Sequence, residues 1–334
     1  MKKLTKTLKN LILVAVILML GVSFAQAAQD KQVFKFASMF PETHLRAQAW
    51  KAYVNKVEKA TDGQVVFKIG YAESLVKAMQ EYEAVRMGAI DISGSPSVYI
   101  SGYLPVGLFA DIPGFADSYP QAMEIFKKVM PIIDEELNKA GLKLLWGHPA
   151  TLFNMCCNSK VGFIKNIDDL KGVKGRIAGG LTSEAFKIWG GSPVTLPAAE
   201  EYMALKLGTT DCTYIGTDSY SSYKLWEVAP YVTKFKHPFY FHLIKMNMKS
   251  WRKLSSENQQ KVLQAGREMM DELPLTFVKD QEALYDTMAK NGATYSEPSP
   301  ELKKTLREDL KPLWDKYIER AGEPGKKIYK IIFP

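Results

Sequence analysis

A single arginine in a glycine-rich segment is the strongest candidate for chemistry in this sequence. Residues 170–180 read LKGVKGRIAGG, in which Arg176 lies in a predicted strand and two glycines follow. A guanidinium offers a planar fork of donors that matches the two oxygens of a carboxylate, and its charge is permanent. The alternative is a solvated arginine in a basic turn. The residue type therefore makes an acid-binding site a hypothesis that needs further support.

Motifs of catalytic and metal sites are missing from the sequence. GxSxG, HExxH and the P-loop are all absent, and the four histidines are scattered. A single histidine such as His44, just after the first predicted strand, is more typical of a structural role. We therefore expect no catalytic residue, no metal and no cofactor, with a secreted enzyme of the hydrolase type as the alternative.

The cysteines do not form a recognisable framework. Cys156, Cys157 and Cys212 are an odd number, so at least one thiol stays unpaired if a disulfide forms. Adjacent cysteines bridge only with strain. We expect all three to be buried, reduced thiols that act as small apolar side chains.

The N-terminal segment has the pattern of a secretory signal peptide. A lysine-rich start is followed by an apolar run from Leu11 to Phe24, and Ala25-Gln26-Ala27 provides the small residues of a cleavage site. The run is shorter than the roughly 20 residues of a membrane-spanning helix. We expect cleavage after residue 27, a periplasmic location and no membrane anchor in the mature chain.

The charge of the mature chain gives no support to nucleic-acid binding. The whole sequence has 44 basic and 36 acidic residues, and the signal segment holds four of the lysines and no acidic residue. What remains is a mild excess of about +4 with both signs interspersed. We therefore exclude nucleic acid as a partner.

The hydrophobic pattern predicts two α/β units. Alternating strands and helices open the chain, and a second set starts near residue 151. Extended runs near 231–235 and 239–248 carry the chain back, and a long helical pattern with a capping box starts at Ser256. We expect one lobe from residues 28–148 and about 236–265, and another from 149–235 and about 275–334. The ligand cleft would lie between them.

Motifs in this order resemble the DctP-type solute-binding proteins of TRAP (tripartite ATP-independent periplasmic) transporters. The most specific run is DLKGVKGRIAGG…GGSPVTLPAAEEYMALKLGTTD, and EYEAVRMGAIDI and WRKLSSENQQKVLQA support it. The resemblance implies two lobes, each with a mainly parallel sheet flanked by helices, and a long helix across both. It also implies that Arg176 binds a ligand carboxylate, that the lobes close on a hinge, and that a membrane permease receives the solute. A binding protein of an ABC importer or of a sensor kinase is the alternative.

Two departures from the family pattern bear on the ligand. Cys212 replaces a glycine, and the position of a second arginine in some members falls on Cys156. We therefore expect Arg176 to act with Asn154 and tyrosines. One arginine suits a monocarboxylate, whether oxo-, hydroxy- or aromatic, or a sulfonate, better than a dicarboxylate.

Other candidate contacts come from strand ends and aromatic segments. Ser95 and Tyr99 follow a strand end, where α/β sheets present ligand-facing groups. Tyr214 lies where family members often have a polar contact, and Tyr240 belongs to an aromatic-rich segment. A helix cap or core packing is the alternative for each. We interpret Glu201 as a helix-start or hinge residue and not as a ligand contact.

Overall fold

The computed structural model describes residues 31–334, so the predicted signal peptide lies outside the described residues. Eleven strands are formed in this part of the chain. They are β1 (Gln32–Ala37), β2 (Val65–Gly70), β3 (Ile92–Ser93), β4 (Leu142–Pro149), β5 (Phe153–Cys157), β6 (Lys174–Ile177), β7 (Ser192–Thr195), β8 (Cys212–Gly216), β9 (Tyr231–His237), β10 (Phe241–Asn247) and β11 (Thr294–Ser296).

Ten α-helices accompany these strands in the described residues. They are α1 (Leu45–Ala60), α2 (Glu81–Met87), α3 (Tyr119–Lys139), α4 (Gly180–Ile188), α5 (Glu201–Lys206), α6 (Thr217–Ser222), α7 (Met248–Trp251), α8 (Ser256–Lys290), α9 (Pro300–Glu308) and α10 (Lys311–Ile332). Short 3-10 helices at Ser97–Ile100 and Pro105–Asp111 connect β3 to α3.

Two separate sheets divide the strands between two lobes. The first sheet has the order β2-β1-β3-β10-β4, and the second has the order β11-β9-β5-β8-β6-β7. Consecutive strands within each βαβ unit are parallel, as the alternating pattern predicts. β10 and β5, which follow the crossings between lobes, run antiparallel to both of their neighbours, whereas β9 is antiparallel to β5 and parallel to β11. The two-lobed α/β architecture is therefore confirmed, with mixed sheets.

The central strand β10 is buried along its whole length, including its polar residues His242, Lys245 and Asn247. All seven residues of β10 are buried, because β3 and β4 cover both edges and helices cover the faces. α1 buries Trp50, Tyr53, Val54 and Val57, at helical spacing, against β2 and α8. The apolar periodicity of the sequence thus corresponds to the sides of each element that face the core.

Helix α8 is 35 residues long and contacts both lobes. In its first half, the Val262 carbonyl accepts a hydrogen bond from Tyr53 Oη of α1 at 3.4 Å. In its second half, Gln281 Nε2 donates to Thr217 Oγ1 of α6 at 3.3 Å. Pro274 lies between these contacts, and the helix continues through it. The predicted long helix across both lobes is confirmed.

The C-terminal helices border both lobes. α10 packs against the 3-10 helix Pro105–Asp111 and α3, which belong with the first sheet, and also against α4 of the second lobe. The expected division assigned residues after about 275 to the second lobe alone. The exact lobe boundaries therefore stay a prediction, whereas the sheets define the two cores.

The expectation that all three cysteines are reduced is wrong. Cys157 on β5 and Cys212 on β8 form a disulfide, and they are directly opposite in the antiparallel register. Cys156 is free and buried, and it packs in a separate cluster on the opposite face of the sheet. Alternation of side chains along β5 is the reason why only one of two adjacent cysteines can reach Cys212.

Candidate functional site

Arg176 is positioned by the central strands of the second lobe. It lies on β6, opposite Val194 of β7 and Thr213 of β8. The preceding Gly175 faces the other side, where a Cβ would be within 2.4 Å of the Phe186 ring on α4. Successive side chains of a strand point to opposite faces. Arg176 therefore points away from α4, and its side chain is almost fully buried.

The guanidinium of Arg176 makes contacts to both lobes. Nε and Nη2 donate to the Leu196 carbonyl at 2.9 and 2.8 Å. Nη2 also donates to Tyr99 Oη, from the first lobe, at 3.2 Å. Tyr99 Oη accepts a further bond from the backbone N–H of Ala198 at 3.1 Å. The predicted pair Arg176 and Tyr99 is thus brought together across the lobe interface.

Glu201 is the carboxylate partner of Arg176. The helix α5 does begin at Glu201, but the side chain turns inward, with Oε1 at 2.5 Å from Arg176 Nη1. Thr213 Oγ1 donates to Oε2 at 2.8 Å. Burial raises the pKa of Glu201 to about 7, and Arg176 and Thr213 limit that rise. Arg176 therefore has an internal counter-ion, which the sequence analysis did not predict.

A second buried arginine comes from the first lobe. Arg46 lies in the first turn of α1, and its Nε and Nη2 contact the two oxygens of Asp218, both at 2.7 Å. Asp218 lies on α6 of the second lobe, and neither side chain has solvent exposure. Burial acts to raise the pKa of Asp218, but Arg46 overcomes this effect and keeps it below its ordinary value. This bidentate pair joins the two lobes.

The remaining donors of Arg46 are also satisfied. Nη1 donates to Tyr240 Oη at 3.0 Å and to His242 Nε2 at 2.8 Å. His242 Nδ1 lies 2.8 Å from the Gly94 carbonyl, so Nδ1 carries the proton and Nε2 accepts. Burial raises the pKa of Tyr240, and Arg46 and Arg176 oppose this rise, so Tyr240 is within electrostatic reach of both arginines.

His44 also joins the lobes. Its Nδ1 accepts the backbone N–H of Arg46 at 3.2 Å and caps α1. The proton therefore resides on Nε2, which lies 3.1 Å from Ser219 Oγ of α6. Burial lowers the pKa of His44 to about 3, so the ring is neutral. The structural role expected for His44 agrees with these contacts.

Three other predicted contacts are engaged elsewhere. Ser95 Oγ accepts a hydrogen bond from the buried Lys245 Nζ at 2.6 Å, inside the first lobe. Asn154 Nδ2 donates to Thr217 Oγ1 at 3.1 Å and to a tyrosine of α8. Tyr214 Oη lies 3.2 Å from His237 Nδ1, and its ring packs against aromatic side chains next to Tyr240. These three side chains are therefore not in direct contact with either arginine.

The residues that sequence reasoning missed have a common signal. Arg46 lies shortly after β1 ends, and Asp218 follows β8 by two residues. Polar side chains after strand ends are the ones that α/β sheets present to ligands. That rule was applied after β1 only to His44 and after β3 to Ser95 and Tyr99, and Arg46, two residues beyond His44, and Asp218 fit it as well.

Surface grooves occur away from the arginine pairs. One of about 680 Å³ lies between Phe115 and the aromatic side chains Trp314 and Phe333 of the C-terminal region. Its lining includes the exposed ion pair of Arg307 and Asp117, but neither Arg46 nor Arg176. Residues 31–334 contain neither a group of three or more His, Cys, Asp or Glu side chains able to hold a metal ion nor a helix long and apolar enough to cross a membrane.

Comparison with known proteins agrees with this architecture. Residues 36–320 match the DctP model, described as bacterial extracellular solute-binding protein, family 7. The 2,3-diketo-L-gulonate-binding periplasmic protein YiaO of Escherichia coli K12 is 26% identical over 81% of this chain and 82% of its own length.

Two solved structures have the same fold. DctP7 of Bordetella pertussis, an extracytoplasmic solute receptor binding pyroglutamic acid, superposes with a TM-score of 0.85 at 20% identity, covering 91% of this chain and all of the other. A TRAP periplasmic solute-binding protein from Desulfovibrio salexigens with bound orotic acid superposes with a TM-score of 0.84 at 23% identity. The match covers 90% of this chain and 97% of the other. The chain belongs to family 7 of the bacterial extracellular solute-binding proteins, the DctP family of TRAP solute receptors.

Proposed function

We propose that this protein binds a small organic acid with one carboxylate and delivers it to a TRAP permease. The observation that carries the proposal is the guanidinium of Arg176, buried where the two lobes meet and hydrogen-bonded to Tyr99 of the opposite lobe. A charge-assisted hydrogen bond in a site closed to water contributes about 1.5–3 kcal/mol. An acidic head group at Arg176 would therefore stabilise the closed form.

The number of available cations supports a single carboxylate. Arg46 is held bidentate by Asp218, whereas Glu201 contacts only Nη1 of Arg176, so Arg176 is the arginine that keeps a hydrogen for a ligand next to Tyr99 and Tyr240. A dicarboxylate would bring a second charge into the interface without a free partner. The three relatives described above bind 2,3-diketo-L-gulonate, pyroglutamic acid and orotic acid, in agreement with this class.

Binding would act by closure of the lobes. The chain crosses between the sheets near residues 149–153 and 237–241, and these crossings are the proposed hinge. A ligand that contacts both lobes binds only the closed form and shifts the population toward it. The permease, in the membrane bordering the periplasm, would then recognise the closed shape.

A ligand screen tests this function. The purified protein is heated with pyroglutamate, orotate, 2,3-diketo-L-gulonate and a wider set of mono- and dicarboxylates, and hits are titrated by calorimetry. A ligand at 100 times its Kd adds about 2.7 kcal/mol to the apparent stability, so a genuine ligand produces a clear rise in Tm. Binding of no acid in the whole set, or preference for dicarboxylates, would contradict the proposal.

A further inference from the structure

At pH 8, two carboxylates balance the two arginines of the lobe interface before a ligand enters. In the described residues, Arg46 forms one buried ion pair with Asp218, and Arg176 forms another with Glu201. His44 and His242 are neutral because burial lowers the pKa of each. A carboxylate ligand therefore adds one negative charge to a site whose charges are already balanced.

Arg176 has little donor capacity left for that ligand. A guanidinium has one hydrogen on Nε and two on each Nη nitrogen. Nε and Nη2 are used by the Leu196 carbonyl and Tyr99, and Nη1 faces Glu201. The second hydrogen of Nη1 remains. A ligand carboxylate bound there would lie beside the Glu201 carboxylate, and both would share one nitrogen.

Two carboxylates on one guanidinium repel each other, and within residues 31–334 no unpaired cation beside Arg176 offsets the repulsion. Arg46 is saturated by Asp218, Tyr240 and His242. When two carboxylates share a buried site, the pKa of one of them rises strongly, so that one binds a proton. Glu201 is the group that can accept it, since it is fixed in the site at zero exposure and a small acid arrives from water as an anion.

The surroundings of Glu201 allow the protonated form. Oε2 accepts from Thr213 Oγ1, and a proton on Oε1 could be donated to an oxygen of the ligand. Burial already raises the pKa of Glu201 to about 7 without a ligand. Five titratable or charged groups interact electrostatically with Glu201: Arg176 on β6, Arg46 on α1, Tyr99 on the 3-10 helix 97–100, Cys156 on β5 and Tyr223 just after α6.

We propose that Glu201 takes up one proton from solvent when the carboxylate of an organic acid binds Arg176, so that the receptor binds the anion and a proton together. This inference rests on the proposed function. Glu201 thereby determines specificity: a single carboxylate is compensated by the proton, whereas the second charge of a dicarboxylate is left buried without a partner.

Calorimetry counts the proton directly. The receptor is titrated at pH 8 with pyroglutamate, orotate and 2,3-diketo-L-gulonate, each in phosphate, HEPES and Tris. The slope of the binding enthalpy against the ionisation enthalpy of the buffer is the number of protons taken up. We expect a value close to one, and a Kd that rises several-fold, at most tenfold, between pH 7.5 and 8.5.

Two variants distinguish Glu201 from its neighbours. Glu201→Gln should bind the same acid with no proton uptake and with a Kd that does not change over this pH range. Glu200→Gln alters the adjacent, exposed residue and should behave like the wild type. If Glu201→Gln does not fold, the proton count of the wild type decides alone.

The outcomes separate the two proposals. Binding of a probe with uptake of less than about 0.2 protons overturns the role of Glu201 and leaves the proposed function intact. Unchanged proton uptake in Glu201→Gln also overturns it. If no acid binds at any pH, the proposed function fails, and the proton coupling with it.

Discussion

Replacing Asp218 by asparagine removes the negative half of the buried pair with Arg46 and keeps the shape of the side chain. Asparagine can still accept the hydrogen bonds that Asp218 Oδ1 receives from Thr151 Oγ1 at 2.6 Å and from the Ser219 backbone at 2.8 Å. The change removes the negative charge, and it also places the Nδ2 amide donor where Asp218 Oδ2 faced Arg46 Nε. Because the partners belong to different lobes, the lost attraction penalises the closed form and spares the open one.

The magnitude follows from the burial of the pair. Removing one partner of a fully buried ion pair costs about 3–5 kcal/mol, since the other charge stays desolvated and uncompensated. Arg46 keeps Tyr240 and His242 as acceptors, so the lower end applies. If the free receptor is open, the substitution destabilises only the ligand-bound closed form, so the whole free-energy cost appears in the Kd for the acid. We expect the Kd of Asp218→Asn to increase by at least ~100-fold.

Titration calorimetry with the best acid from the screen measures the Kd, and small-angle X-ray scattering with and without that acid reports closure. Glu184→Gln is a matched control, because Glu184 pairs with Lys316 and Arg320 at the surface. Exposed pairs contribute about 0–1 kcal/mol. The control should change the Kd by less than about fivefold and close normally.

A double variant tests the cause of the loss. Arg46→Gln combined with Asp218→Asn removes the uncompensated charge, so it should bind at least about tenfold more tightly than Asp218→Asn alone. A Kd of Asp218→Asn within about threefold of the wild type would refute the reasoning. A double variant weaker than the single one would show that Arg46 binds the ligand itself.

Three further predictions concern ligand binding and stability. Arg176→Ala should weaken acid binding by at least ~100-fold in calorimetry with a normal circular dichroism spectrum, and Arg176→Lys should recover only part of the loss, because the planar fork is missing. Replacing Cys157 and Cys212 together by alanine should lower the free energy of unfolding by about 4 kcal/mol in chemical denaturation, since the bridge spans 55 residues, whereas Cys156→Ala should have a small effect. Burial lowers the pKa of His148 to about 3, so below pH 6.5 the unfolded chain binds a proton that the native state does not. The wild type should therefore lose its advantage in Tm over His148→Gln as the pH falls from 7 to 4.5. A constant difference in Tm would show that His148 is not held neutral in the native state.

The order of strands and helices was largely predictable from the sequence because it depends on local periodicity. The long helix α8 begins one residue from the predicted cap, since Ser255 and not Ser256 is the N-cap, and its Oγ accepts the backbone N–H of Asn258. The six-residue helix α6 was missed, since its sequence TDSYSS has neither an apolar period nor strong helix formers. The short edge strand β11 was missed as well, because three residues carry too little pattern.

The candidate site was only partly predictable because it depends on contacts between distant segments. The family motif identified Arg176, but its partner Glu201 reads in sequence as an ordinary residue of a helix start. Arg46 and Asp218 are 172 residues apart, and only the fold brings them together. Likewise, the disulfide depends on the register of β5 against β8, which composition does not reveal.

The long helix α8 also limits how the receptor can open. Its first half is attached to α1 and its second half to α6, so separation of the lobes must deform the helix between these anchors. Pro274 lies there and lacks the N–H that would complete the helical ladder, which makes this turn the most compliant one. Opening is then a bend of one rod of roughly 50 Å at that turn, and both lobes stay attached to the same continuous helix while they separate.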